Sequence, residues 1–278
     1  QSRSSAASDV YKRQIGDNAM LDNTTGDKNT ALGTSSLANN TTADNNTAIG
    51  YAALNANTTG TGLVAVGMNA LTANTTADDN TALGKGTLGV NTTGASNTGL
   101  GRGALGSNTT ADNNTAVGSS ALTANTTGAN NTAVGGQGVL DANTTGSQNT
   151  GIGGGALGSN TTASSNSAVG AYALTANTTG DENTAMGAYA LDANTTGSDN
   201  TALGYLALSA NTTAGNNTAI GRKTMQVNTT GASNTAVGAQ ALDANTTAAN
   251  NTAIGHNSLT ANTTGANNVA VGKSTLLA

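Results

Sequence analysis

Asn194-Thr195-Thr196-Gly197-Ser198-Asp199-Asn200-Thr201-Ala202-Leu203-Gly204-Tyr205-Leu206-Ala207-Leu208-Ser209-Ala210 is one unit of a repeat that begins again at Asn211. Asn-Thr-Thr occurs fifteen times between Asn23 and Asn262, at a spacing of 17 residues with one 18-residue step from Asn125 to Asn143. The extra residue falls in Gly135-Gly136-Gln137-Gly138, a glycine-rich stretch that reads as a turn able to absorb an insertion. With the first Asn as position 0, the unit is Asn-Thr-Thr-[Gly/Ala]-x-x-Asn-Thr-Ala-[Leu/Ile/Val]-Gly-x-x-Ala-Leu-x-Ala.

Comparing copies within the chain separates the positions. Position +10 is Gly throughout, from Gly16 to Gly272, and +8 admits only Ala or Gly in the copies from Ala31 onward. Position +9 is aliphatic, as in Ile49, Val66 and Leu83, with Met186 the one thioether. Position +14 is Leu, with Met20 and Met225 as substitutes. Positions +4, +5, +11, +12 and +15 vary and hold nearly all the charge. Helix-pair repeats need roughly 33 to 47 residues, so this unit is too short for a helical solenoid.

The pattern predicts an all-β fold, a parallel β-solenoid of about fifteen coils. Asn-Thr-Ala-Val-Gly reads as one strand, with +7 and +9 on one face and +8 on the other. Ala-Leu-x-Ala-Asn-Thr-Thr reads as a second strand. The aliphatics at +9 and +14 are the expected core, +10 the expected turn, and Asn at 0 and +6 the expected side-chain ladders. Coils stacked about 4.8 Å apart would make a rod on the order of 70 Å long. Two large aliphatics per coil are few, so hydrogen bonds between coils and lateral association must supply much of the stability. The small-residue column at +8 implies close approach of the opposite side of the coil or of a neighbouring chain, and points to an oligomer seam.

Composition excludes several classes. The 278 residues include no Cys, Pro, Trp or Phe, and only 8% are charged. A formal net charge of −5 with scattered acids argues against nucleic-acid binding, which needs a basic stripe. The most apolar run, Leu63-Val64-Ala65-Val66, falls far short of the roughly 18 residues of a membrane span. Residues 1–14, with Arg3, Lys12 and Arg13, do not fit the repeat and read as a scar or the end of a missing region, leaving 15–278 as the repeat domain.

Asn46-Thr47-Ala48-Ile49-Gly50, and more closely Asn268-Val269-Ala270-Val271-Gly272, resemble the [Asn/Ser]-Val-Ala-[Ile/Val]-Gly signature of the heads of trimeric autotransporter adhesins of the YadA type. Asn-Thr-Ala-[Ile/Val/Leu]-Gly and Ala-Leu-x-x-Asn-Thr-Thr-Gly arrays are also similar to those of long bacterial surface proteins and phage tail-fibre-like proteins. The resemblance covers residues 15–278. It implies a left-handed β-roll, a homotrimer, a location at the bacterial outer surface or on a phage fibre, and an adhesive or stalk-like role toward a host-surface, matrix or glycan ligand. Thr usually stands where the signature has Val, and the unit is a few residues longer than that family's coil. The chain stops at Thr275-Leu276-Leu277-Ala278 in mid-repeat, without the stalk or barrel of a whole adhesin, and so reads as a fragment.

No residue is nominated as catalytic, cofactor-binding or metal-ligating. His256, the only His, stands at the variable +11 position, where other copies hold Tyr51, Ser119 or Arg102, and has no positioned partner. Asp44, Asp78, Asp79, Asp112, Asp181 and Asp199 line one turn edge. Calcium uses such edges, but the Gly-rich Asp nonapeptide of calcium β-rolls is absent, and solvated loop charge is the expected role. The glycines at +10 and +3 read as turn glycines. The triplets are formal N-glycosylation acceptors, read as an internal Asn ladder because they keep one phase of the coil. Tyr51, Tyr172, Tyr189 and Tyr205 are glycan-stacking candidates, or else scattered surface tyrosines. The expected function is a non-enzymatic structural or adhesive rod. The alternative is an ice-binding solenoid using Thr columns, although Thr at +1 and +2 are adjacent and face opposite ways.

Overall fold

The computed structural model describes residues 13–276. The proposed scar therefore lies largely outside the described residues, as do Leu277 and Ala278. Arg13 and Gln14 lie inside them: they belong to the first strand and pair in register with Thr30 and Ala31. The chain divides into two compact units, Gln1–Asn130 and Asn131–Ala278.

Each coil contributes one three-residue strand. The first unit carries β1 (Arg13–Ile15), β2 (Thr30–Leu32), β3 (Thr47–Ile49), β4 (Val64–Val66), β5 (Thr81–Leu83), β6 (Thr98–Leu100) and β7 (Thr115–Val117). The second carries β8 (Thr132–Val134), β9 (Thr150–Ile152), β10 (Ser167–Val169), β11 (Thr184–Met186), β12 (Thr201–Leu203), β13 (Thr218–Ile220), β14 (Thr235–Val237), β15 (Thr252–Ile254) and β16 (Val269–Val271). Within each unit every strand pairs in parallel with that of the next coil, like residue on like: Thr30 on Thr47, Ala31 on Ala48, Leu32 on Ile49. The fold is a parallel β-solenoid, and no described residue is helical.

Two expectations about the coil are overturned. Ala-Leu-x-Ala-Asn-Thr-Thr, +13 to +2 of the next unit, is not a second strand: turns run through +16 and bends follow at +1 and +2. Left-handed backbone at +12 and +14 forbids extension there: Ala52 has φ 54° and Leu54 52°, Tyr189 57° and Leu191 52°. A left-handed leucine costs about 1–2 kcal/mol. Full burial of its side chain contributes about 1.5–3 kcal/mol, which offsets that cost. Leu54, Leu122 and Leu191 are all completely buried.

The second correction concerns +9. The strand alternates as expected, but its faces are inverted: Ala at +8 points in and is fully buried, while Leu83, Leu203 and Ile220 at +9 are 43%, 37% and 37% exposed. The interior is too narrow for a second large side chain. A Cβ at Gly99 (+8) would lie 2.5 Å from Thr87 Cγ2 and 3.7 Å from Leu88 Cδ1, residues +13 and +14 of the preceding coil. Leu at +14 thus fills the coil and leaves room for Ala opposite. The +8 column is small because the same chain packs on it, so it gives no evidence for an oligomer seam.

Sequence variation inside the coil follows that geometry. Only Gly99 and Gly151 replace Ala at +8 among β2–β16, and they follow the coils whose +13 is enlarged to Thr87 and Val139. A Cβ at Gly151 would lie 3.1 Å from Val139 Cγ1. Thr224 is also enlarged, yet Ala236 follows it, so one such pair is accommodated. The 18-residue coil keeps its register as well, with Thr132 on Thr150. Its extra residue sits between Val134 and Leu140, since Gly153 N donates to Val134 O across 19 positions and Leu140 N to Ala156 O across the usual 16. Gly135–Gly138 absorbs the insertion outside the strand.

Candidate functional site

The buried polar columns are structural. Asn at position 0 forms a ladder in which each side-chain Nδ2 donates to Oδ1 of the Asn one coil earlier, at 3.0 Å for Asn57 to Asn40 and 2.9 Å for Asn194 to Asn177. Asn at +6 works differently. Its Oδ1 accepts the backbone N–H of +6 in the next coil, as Asn97 Oδ1 does from Asn114 at 2.9 Å. Its Nδ2 donates to the next coil's carbonyl at +3. That carbonyl takes both columns: Ala111 O accepts from Asn97 Nδ2 at 2.8 Å and from Asn108 Nδ2 at 3.0 Å. Buried amides bonded to neighbouring side chains and backbone hold adjacent coils in register, although Asn251 Nδ2 is buried without a partner. Leu63 replaces Asn at one +6 position and is also buried; it has no side-chain amide, but its N–H still donates to Asn46 Oδ1 at 2.9 Å and its carbonyl accepts from Thr47 N at 2.8 Å.

This arrangement settles several candidate residues. The Asn of each triplet from Asn40 to Asn245 is buried, so the nitrogen a glycan would need is enclosed and bonded in the folded chain. The glycines at +3 have no positive φ, and Ala43, Ala77 and Ala111 stand at the same position. They are small because they lie among the Asn side chains: a Cβ at Gly60 would lie 2.6 Å from Asn57 Oδ1. The glycines at +10 do need left-handed backbone, as at Gly204 with φ 134°. The Thr at +1 spends its hydroxyl on the next coil, donating to the carbonyl of the following +1 Thr, as Thr178 does to Thr195 O at 3.0 Å. Asp at +4 is not merely solvated. Asp44, Asp78, Asp112 and Asp181 each accept the backbone N–H of +4 one coil earlier through Oδ1, at 2.6–2.7 Å. Asp79 and Asp199, at +5, have φ 57° and 60°. His256 is exposed. Among the described residues no three His, Cys, Asp or Glu side chains gather where they could hold a metal ion.

What remains outward and regular is the strand face. From β2 to β16 it presents Thr, Ser or Val at +7 and an aliphatic or Met at +9, with no charged side chain in either column. In-register pairing sets like residues side by side at about 4.8 Å per coil. The exposed aliphatics include Leu32, Leu83 and Leu100 in the first unit and Ile152, Met186 and Ile254 in the second, each about two-fifths accessible at 39–44%. Within each unit, an uncharged surface with a regular apolar column of this kind marks an interaction face. Sequence reasoning missed it by putting the larger apolar column inside. The signal was present at +8, whose restriction to Ala and Gly is that of a confined position, whereas +9 exchanges Leu, Ile, Val and Met freely.

No family model matches this chain, and neither does any curated protein or solved structure. The argument for function therefore rests on the surfaces themselves. Two carboxyls are perturbed there: burial pushes Asp192 and Asp243 up, against hydrogen bonds from backbone groups that pull them down. Asp192 Oδ1 is buried without a hydrogen-bond partner. Both stand at +15, and Asp243 also has Gln240 hydrogen-bonded to it and Lys223 within Coulombic reach. No described helix is long and apolar enough to cross a membrane.

Proposed function

We propose that the chain is a structural and adhesive rod element of an extracellular fibre, without catalysis, assembled as a homotrimer through the Thr/aliphatic strand face. One observation carries the reading: the repeat keeps an aliphatic or, once, Met at +9 in every copy, although the chain's own interior is filled by the +14 column. An apolar column retained on the outside is explained when other chains cover it, and a solenoid that buries few large side chains gains most from such cover. The resemblance of Asn268-Val269-Ala270-Val271-Gly272 to the adhesin-head signature supports three chains and a bacterial or phage surface location. Light scattering tests it: the reading expects a mass three times the 26.7 kDa of the chain, and a monomer removes the trimer.

A second reading, ice binding, is favoured by the same face and no longer by +1 and +2. The +1 hydroxyls are committed to neighbouring coils, whereas Thr at +7 lies beside an aliphatic at +9 on an uncharged sheet with a regular rung spacing. The two readings compete for one surface, because a face buried in a trimer cannot meet ice. A monomer that shows thermal hysteresis supports the second, and a trimer without hysteresis supports the first.

A further inference from the structure

The outward turn at +11 and +12 carries a different chemistry from the strand face. Tyr172 and Tyr189 at +12 and Tyr205 at +11 stand on three consecutive coils of the second unit, 49%, 38% and 48% exposed. They are not scattered. Tyr172 and Tyr189 stack with ring centroids 5.4 Å apart and planes 15° from parallel, and Tyr205 meets Tyr189 at 6.5 Å and 84°. Tyr172 lies across Gly155, where a Cβ would be 2.7 Å from its Cδ1. The stacked pair is therefore a buttress, and Tyr205 stands perpendicular to it with its ring about half exposed.

Cations adjoin it on the next coil. Lys223 N donates to Tyr205 O at 2.9 Å, which places Arg222 and Lys223 one rung beyond Tyr205. Arg222 is exposed, and Lys223 is half-buried within Coulombic reach of Asp243. The segregation is systematic: from residue 131 onward the only Lys and Arg are Arg222, Lys223 and Lys273, all at +11 or +12, and no Asp or Glu shares those columns. The acids of this unit stand at +4, +5 and +15 instead, as Asp181, Glu182, Asp192, Asp199 and Asp243 do. A half-exposed aromatic ring one rung from an exposed arginine, in columns that hold no acid in this unit and with Asp243 reaching only Lys223 from +15, suits a flat-faced ring that bears an anion.

We propose that Tyr205 with Arg222 and Lys223, buttressed by Tyr189 and Tyr172, binds an acidic polysaccharide, one sugar ring stacking on Tyr205 and its carboxylate or sulfate pairing with Arg222. This deepens the adhesive reading and rests on it. It assigns contact with a ligand to the turn edge and contact between chains to the strand face.

The test is titration calorimetry of the whole chain with polygalacturonate, with heparin and with neutral dextran. Binding to one or both polyanions and none to dextran is expected, and the two polyanions separate carboxylate from sulfate recognition. Tyr205→Ala and Arg222→Gln should each weaken binding about tenfold, whereas Tyr205→Phe should stay within about twofold because it keeps the ring. Folding is protected, since Ala171, Ala188 and Ala239 already occupy +11 and Ala52 occupies +12. Binding to neither polyanion, equal binding to dextran, or binding indifferent to Tyr205→Ala overturns the site. A change of mass on Tyr205→Ala also overturns it, by making the edge a contact between chains. A parent chain of trimer mass that binds neither polyanion rejects this site alone, while a monomeric parent that still binds rejects the trimer and leaves the site standing.

Discussion

The chain has two aliphatic columns, and they meet opposite fates. Leu at +14 sits in a turn, in a backbone region that penalises it, and is wholly buried; Leu, Ile or Val at +9 sits in a strand, in comfortable geometry, and faces out. Hydrophobicity alone does not distinguish them. The turn does: left-handed residues at +12 and +14 aim Leu across the coil, and a coil of 17 residues has room for one such side chain against an Ala. The strand's apolar residues are then displaced to the outer surface, where Leu83, Leu203 and Ile220 are 43%, 37% and 37% exposed. In a solenoid this thin, one well-filled column inside leaves the other available for assembly.

Breaking the turn between the two columns should have the largest effect. Gly204→Val adds a side chain where even a Cβ would be 2.6 Å from Gly221 O and 2.7 Å from Gly221 C, with φ at 134°. The obstacle is backbone, so no rotamer relieves it. A loss on the order of 4 kcal/mol is expected in chemical denaturation. Unchanged stability would mean that the coil does not turn tightly at +10.

The columns themselves separate next. Leu208→Ala should cost about 2–5 kcal/mol as a cavity within the coil. Leu203→Ala, five residues earlier, should cost the chain about 1 kcal/mol or less, because it is already 37% exposed. Equal costs for the two would contradict the inverted strand face. The narrowness of the interior can be tested by a double-mutant cycle. Gly99→Ala should cost about 1–3 kcal/mol through its approach to Thr87. In the Thr87→Ala background, which itself loses the 2.6 Å bond from Thr87 Oγ1 to Gly101 O, the same substitution should be nearly neutral. Accommodation of Thr224 beside Ala236 puts the single-mutant cost at the lower end. Additive costs would show that +8 and +13 do not touch.

The smallest effect is electrostatic. Burial raises Asp192 above 3.8, so the folded chain holds this proton more tightly than the unfolded chain. Stability therefore falls as pH rises from about the unfolded value through the raised one, and the penalty is complete above it. Asp192→Asn should raise Tm at neutral pH and leave it unchanged below pH 3.8. A constant difference between the two proteins across pH would remove desolvation as the cause.

The solenoid, its period, the turn at +10 and both Asn columns were legible in the sequence because each rests on a column repeated along the whole array, interrupted only by Leu63 at +6. The direction of the strand face was not. Alternation says that +8 and +9 oppose one another, but not which is inside; that depends on the left-handed leucine at +14, a conformation the identity of Leu gives no reason to expect. The second strand failed for the same reason. The roles of Asp44, Asp78, Asp112 and Asp181 were hidden because their partners are backbone N–H groups 17 residues away, invisible as a motif. The tyrosines looked scattered because Tyr205 is one column off Tyr172 and Tyr189, and only the stacking of coils brings the three together.

The central claim is that +9 faces outward and that other chains cover it. The most direct measurement is the solution mass and circular dichroism of a Leu203→Glu, Ile220→Glu double variant beside the parent chain. The account predicts a parent three times the 26.7 kDa chain mass and a variant that keeps the parent's spectrum but runs at 26.7 kDa. A variant that loses its β signal would return +9 to the core, and one that keeps the parent's mass would take the strand face out of the assembly.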